Sequence, residues 1–187
     1  NIQLLTAACR VYSENAQYTN ALALTQRILR LVPNDPNALI NQGCFQVQLS
    51  AYADAVASFN QVLALETNNP TALFYRAIAK LRGDQLDAAL VDYEALQQQY
   101  PKAHQMYYGL GEIAYRRKDT NTAIRHYEAY LTHAPPNNPE STFVLDRLQE
   151  LKGLPPAKPP RAPMRITHVI TRLIVGGAQE NTIASVL

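Results

Sequence analysis

A spacing of 34 residues constrains this chain more than any other feature of it. From Ile2, four frames follow one another at 2–35, 36–69, 70–103 and 104–137, and alanine recurs at Ala21, Ala55, Ala89 and Ala123. Other slots keep a size class. Leu5, Leu39, Leu73 and Tyr107 are large, Cys9, Gly43, Ala77 and Gly111 are small, and Thr25, Phe59, Tyr93 and Tyr127 share a third register. A period of about 20–50 residues dictates a stacked array, because one unit is too small to bury its own apolar face.

Within each frame the apolar spacing is helical, and two helices are parted by a polar break: Asn15-Ala16-Gln17, Leu49-Ser50-Ala51, Gly83-Asp84-Gln85 and Lys118-Asp119-Thr120. Between frames, Asp35-Pro36 and Asn69-Pro70 set a capping side chain before a proline whose missing N–H costs nothing at the first helical position. Each frame is therefore expected to be a helix hairpin. The small residues at Gly43, Ala77 and Gly111 let the two helices approach, the alanines supply a matching recess, and Phe59, Tyr93 and Tyr127 fill the gap towards the next hairpin. Asn138-Pro139 starts one more helix, with Val144, Leu145, Leu148 and Leu151 on one face and Gly153 as its stop. It is expected to cap the array.

Composition narrows the function classes. The chain has 187 residues, 47% of them apolar, with a net charge of +2, a balance typical of packed globular proteins. No apolar run approaches the roughly 18 residues of a membrane span. Two cysteines without a CxxC spacing exclude zinc-thiolate and dithiol redox motifs. Residues 1–151 hold 12 basic and 14 acidic side chains, net −2, whereas 152–187 hold 5 and 1, net +4. A near-neutral body argues against nucleic acid as the main ligand, since phosphate contacts need a concentrated basic face. The expectation is a cytoplasmic protein with no cofactor. Asn1 opens the chain almost inside a helix and Leu187 closes it in an apolar run, so both ends read as cut from a longer protein.

The constant length, the small and aromatic slots and the prolines at helix ends together resemble the tetratricopeptide repeat, over 136 of the 187 residues. Three departures stand out. The usual tryptophan slot holds Leu5, Leu39, Leu73 and Tyr107, Thr67 replaces a proline, and the third frame reads as carrying one extra residue around Gln85 after an early Gly83. The resemblance implies an all-α, right-handed superhelical solenoid of four hairpins plus a capping helix at 138–152, together forming a domain over 1–153.

It also implies a concave groove, lined by the first helix of each hairpin, that holds a peptide or protein segment. Carried onto this chain, the groove takes Asn41 from the second unit and Phe74, Tyr75, Ile78, Leu81 and Arg82 from the third. The fourth supplies Gln105, Tyr108, Glu112, Tyr115 and Arg116. Phe74, Tyr75, Ile78 and Leu81 make a second apolar face on one helix, offset from the packing face of Leu73 and Ala77, and such a face needs a partner. That partner is either a bound segment, with Tyr108 and Tyr115 as anchors and Asn41 bonding its backbone, or the neighbouring first helix.

Some relatives grip acidic chaperone tails through a cationic clamp. Its slots here hold Thr6, Arg10, Asn41, Thr71 and Tyr75, or one unit later Ile40, Cys44, Tyr75, Gln105 and Gly109, so no chaperone-tail binding is expected. No catalytic or metal site is expected either. His104, His126 and His133 lack ligand spacing and read as solvated, Glu112 and Arg116 read as an i, i+4 salt bridge, and Cys9 and Cys44 as free thiols, Cys9 buried and Cys44 towards the groove. Self-association through uncapped repeat ends is a further expectation.

The C-terminal segment differs in character. Pro155, Pro156, Pro159, Pro160 and Pro163 mark 154–163 as a semi-rigid linker. Beyond it, 164–187 alternates as strand, glycine loop and helix around Gly176 and Gly177, a candidate phosphate loop. HVITRLIVGGAQENT resembles the first strand and glycine loop of retaining GT-B glycosyltransferases. On that resemblance the repeats would be the recruitment module of a transferase whose catalytic body is not in this chain.

Overall fold

The computed structural model describes residues 1–154, whose regular elements are all helices. They run α1 (Ile2–Glu14), α2 (Tyr18–Leu31), α3 (Pro36–Gln48), α4 (Tyr52–Leu65), α5 (Pro70–Arg82), α6 (Leu86–Gln99), α7 (His104–Arg116), α8 (Thr120–His133) and α9 (Pro139–Leu151). First helices have 13 residues and second helices 14, each starting 34 residues after its predecessor. The third frame therefore carries no extra residue, which corrects the expectation around Gln85. Gly83 is only the cap residue of α5 at φ −80°. The left-handed turn residue is the next one, and it keeps register through Ala16, Ser50, Asp84 and Lys118 at φ 55°, 60°, 60° and 62°. The one added residue comes after α8, where 134–138 bridges to α9 with Asn137 at φ 65°.

Caps explain the helix starts. Asp35 accepts from the amides of Asn37 and Ala38 at 2.9 and 3.2 Å, Asn69 from Ala72 at 2.9 Å and Asn138 from Glu140 at 3.0 Å, each ahead of a proline. α7 departs from this: Ala103 offers no capping side chain and His104 stands in the proline slot.

Each helix packs on its chain neighbours, and α3 meets α5 and α5 meets α7 along an inner row. A Cβ on Gly43 would lie 2.6 Å from the Phe59 ring, and one on Gly111 would lie 2.6 Å from the Tyr127 ring. The rings therefore sit over the glycines of their own hairpins. In the third hairpin Ala77 carries a methyl group at that slot, and Tyr93 leans instead onto Gly109 of the next hairpin, where a Cβ would collide with it. The result is one stacked solenoid whose core runs along the array.

Val144 and Leu148 of α9 are buried against α8, but Leu145, expected on the same face, is exposed. No described helix is long and apolar enough to cross a membrane. Apart from Leu154, the expected linker at 154–163 and the strand, loop and helix at 164–187, with Gly176 and Gly177, lie outside the described residues.

Candidate functional site: a cavity between the inner helices

Between α5 and α7 lies a cavity of about 50 Å³. Phe74, Ile78, Leu81 and Arg82 of α5 form one wall and Gln105, Tyr108, Glu112 and Arg116 of α7 the other, with Tyr93 of α6 and Glu140 of α9 completing it. Its origin is a single slot in the repeat. On α5 that slot holds Tyr75, which is buried against Phe59 and Phe74 with ring centroids 6.0 and 5.6 Å apart. One period later it holds Gly109, which leaves room for the Tyr93 ring to come through, edge-on to Phe74 at 6.4 Å. An absent side chain on α7 thus brings a ring of α6 to the groove.

Polar groups are few and unevenly placed. Tyr93 is 2% exposed, and its hydroxyl has no hydrogen-bond partner among the described residues. Burial raises its phenol well above the ordinary value, Arg82 and Arg116 oppose that rise, and Glu112 adds to it. Tyr108 is raised by burial and then by the charges of Glu112 and Glu140. Charges of both signs therefore meet at Tyr93, with that of Arg82 the largest and Asp92 also present, whereas the carboxylates outweigh Arg147 beside Tyr108. Glu112 is 9% exposed, and its Oε1 accepts from the Tyr127 hydroxyl at 2.5 Å. Among the described residues no basic side chain reaches it within ion-pair distance. Glu140 accepts from Tyr130 at 3.3 Å, and burial raises its carboxyl. Gln105 Oε1 is buried without a partner.

Eight of the expected groove residues thus meet at one cavity: Phe74, Ile78, Leu81 and Arg82 of α5 with Gln105, Tyr108, Glu112 and Arg116 of α7. Three do not line it. Asn41 is half-buried on α3, and Tyr75 is core. Tyr115 is engaged by α9: Arg147 donates to its hydroxyl at 2.8 Å and lies 3.9 Å over its ring, and the hydroxyl donates to Glu150 at 3.1 Å. The expected Glu112–Arg116 pair is replaced by other partners, since Arg116 donates to the Leu81 carbonyl at 2.8 Å and pairs with Asp84 at 3.7 Å.

Tyr93 and Glu140 were not anticipated. Ala77 beside Gly109 is the sequence signal for Tyr93, and none marked Glu140. His104 is buried rather than solvated, its Nε2 3.2 Å from Asn138 Nδ2, and burial followed by the charge of His133 lowers its pKa. Cys44 is buried rather than open to the groove, and burial raises its thiol far above the ordinary range. Cys9 is also buried, 3.2 Å from Thr25 Oγ1.

Solved structures with the same fold include MamA from Desulfovibrio magneticus, with a TM-score of 0.72 at 22% identity over 81% of this chain and 84% of that one. A tetratricopeptide repeat protein from Parabacteroides merdae gives 0.66 at 19% identity, over 81% of this chain and 60% of that one. At such identities the likeness concerns the fold alone. No curated protein matches the chain in sequence. The tetratricopeptide repeat family model matches residues 6–72, 40–94 and 74–139, together spanning the hairpins described above. The chain belongs to the tetratricopeptide repeat family.

Proposed function

We propose that the array is a protein-binding scaffold and that the cavity between α5 and α7 seats an apolar part of a partner's segment. The observation that carries this reading is an opening on the inner row walled by Phe74, Ile78, Leu81 and Tyr108, apolar surface at the centre of a groove where a buried anchor yields most binding energy. Phe74→Ala and Tyr108→Ala test it. Each is expected to weaken capture of a partner or selected peptide by about tenfold or more, an ordinary anchor effect, while circular dichroism stays unchanged. Undiminished binding by the folded double variant would remove the assignment. The glycosyltransferase module remains an expectation from residues outside those described and adds nothing to this reading.

Self-association through the first hairpin is a second reading, favoured by exposed apolar side chains on α1. Leu4 and Val11, two turns apart on one face, are 71% and 52% exposed. Light scattering of the chain and of Leu4→Lys/Val11→Lys decides it: a dimer reduced to monomer supports the reading, and a monomer at every concentration removes it.

A further inference from the structure

Glu112 sits in an unusual place for a carboxylate. It is nine-tenths buried, lines an opening whose other walls are largely apolar, and has no cation within ion-pair distance among the described residues. The Tyr127 hydroxyl engages Oε1, and Oε2 has no hydrogen bond within the described protein. A desolvated carboxylate is costly unless a positive group meets it. Tyr93, also nine-tenths buried, brings to the same opening a hydroxyl with no partner.

The size and polarity of the opening restrict what could fill it. About 50 Å³ is the room of a few waters, the scale of one inserted side chain. Of the two arginines present, Arg116 is occupied by the Leu81 carbonyl and Asp84. Arg82 acts on Tyr93. At the Tyr108 end Glu112 and Glu140 each weigh more than Arg147, which is held by the Tyr115 hydroxyl and Glu150, so that end stays anionic. Lysine and arginine combine an aliphatic stem that lies on apolar surface with a charge at its tip, and a tyrosine face adds a cation–π attraction.

We propose that this cavity seats one basic side chain of the bound segment, its stem along Phe74, Ile78 and Tyr108 and its cation on Glu112 with Glu140 alongside. The proposal rests on the groove reading and sharpens its occupant from apolar to apolar with a charged tip.

A random peptide library of about twelve residues, displayed on phage and selected against the full chain, is the test. The expected enrichment is a lysine or arginine beside apolar residues. Glu112→Gln, which keeps an acceptor for Tyr127, is expected to weaken those peptides about tenfold or more, the scale of losing one partner of a buried charge pair. Exchanging the peptide's basic residue for norleucine should cost the same on the native chain and nothing further on Glu112→Gln. That exchange decides the matter even where the protein variant folds poorly. Enriched peptides that lack a basic residue, ignore Glu112→Gln and are lost with Phe74→Ala would overturn the cation seat and leave the groove reading standing. Peptides indifferent to Phe74→Ala and Tyr108→Ala would overturn the groove reading, and no enrichment would count against both.

Discussion

In the second hairpin, Ser58 donates to Gln46 at 2.7 Å and accepts from Gln42 at 3.0 Å, a neutral joint between α3 and α4. One period later the same three slots hold Asp92, Lys80 and Arg76. Arg76 reaches both carboxylate oxygens through Nε and Nη2 at 2.9 and 2.7 Å, and Lys80 adds a third bond at 2.7 Å. The helix lengths of the two hairpins agree and their turn residues share one conformation. A constant backbone can thus carry a hydrogen-bonded joint in one unit and a desolvated ion triad in the next. The period decides where helices meet, and the residues in the slots decide what the meeting costs to break.

The largest expected effect follows directly from that contrast. Asp92→Ala would leave Arg76 and Lys80 without their anion in a place where the Asp92 side chain is only 3% exposed. Breaking such a buried pair costs about 3–5 kcal/mol, whereas Ser58→Ala, removing two neutral bonds, should cost about 1–2 kcal/mol. Urea unfolding followed by circular dichroism compares them, and equal losses would break the contrast.

Next in size is Gly109→Ala. The added Cβ would collide with the Tyr93 ring, and overpacking of this kind costs about 1–3 kcal/mol. Displacing the ring should also abolish peptide binding at the cavity. A variant as stable as the parent would show that Tyr93 has somewhere else to go.

Much of this was legible in the residues. The hairpins follow from the 34-residue register and the Asp35-Pro36 and Asn69-Pro70 caps, because local helix geometry needs only near neighbours. Gly83 misled the register reading because glycine is the usual left-handed residue at a helix end, yet here Asp84 takes φ 60° one position later. Tyr75 and Tyr108 look alike on their helices. Only packing across hairpins separates them, since Tyr75 meets Phe59 whereas Tyr108 flanks Gly109. Tyr115 is claimed by Arg147, 32 residues away, and Glu140 enters the cavity from α9 after a linker out of register. No period announces contacts of that kind.

The fourth hairpin extends the comparison to acid. His104 stands where the second and third hairpins have Pro36 and Pro70. Asn138 Oδ1 is used to cap α9, so its Nδ2 donates and His104 Nε2 must accept. Burial lowers the pKa of His104 from 6.5, so the unfolded chain binds the proton more readily than the folded one. Its contribution to stability is therefore complete above 6.5 and lost as pH falls through the lowered folded value. His126, also lowered by burial, acts in the same direction, and Glu140, raised by burial from 4.5, acts against them. The melting temperature of the native chain should fall more between about pH 7.5 and 5.5 than that of His104→Pro, which restores the proline of the other hairpins. Parallel curves would detach His104 from the acid response.

The smallest effect returns to the two hairpins of the opening contrast. Ser50 and Asp84 hold the same left-handed turn at φ 60°, a conformation that costs an ordinary residue about 1–2 kcal/mol and glycine nothing sterically. Glycine gives back about 0.5–1 kcal/mol through the greater freedom of its unfolded chain, so Ser50→Gly should gain about 0.5 kcal/mol, the difference between those two terms. Asp84→Gly should gain nothing. Aspartate tolerates the left-handed region by bonding locally, and Asp84 also faces Arg116 at 3.7 Å across the end of the cavity. The two variants thus ask of one backbone position whether its cost is steric alone or offset by the side chain that occupies it. Equal gains in denaturant midpoint would mean that the aspartate and its arginine contribute nothing to the turn.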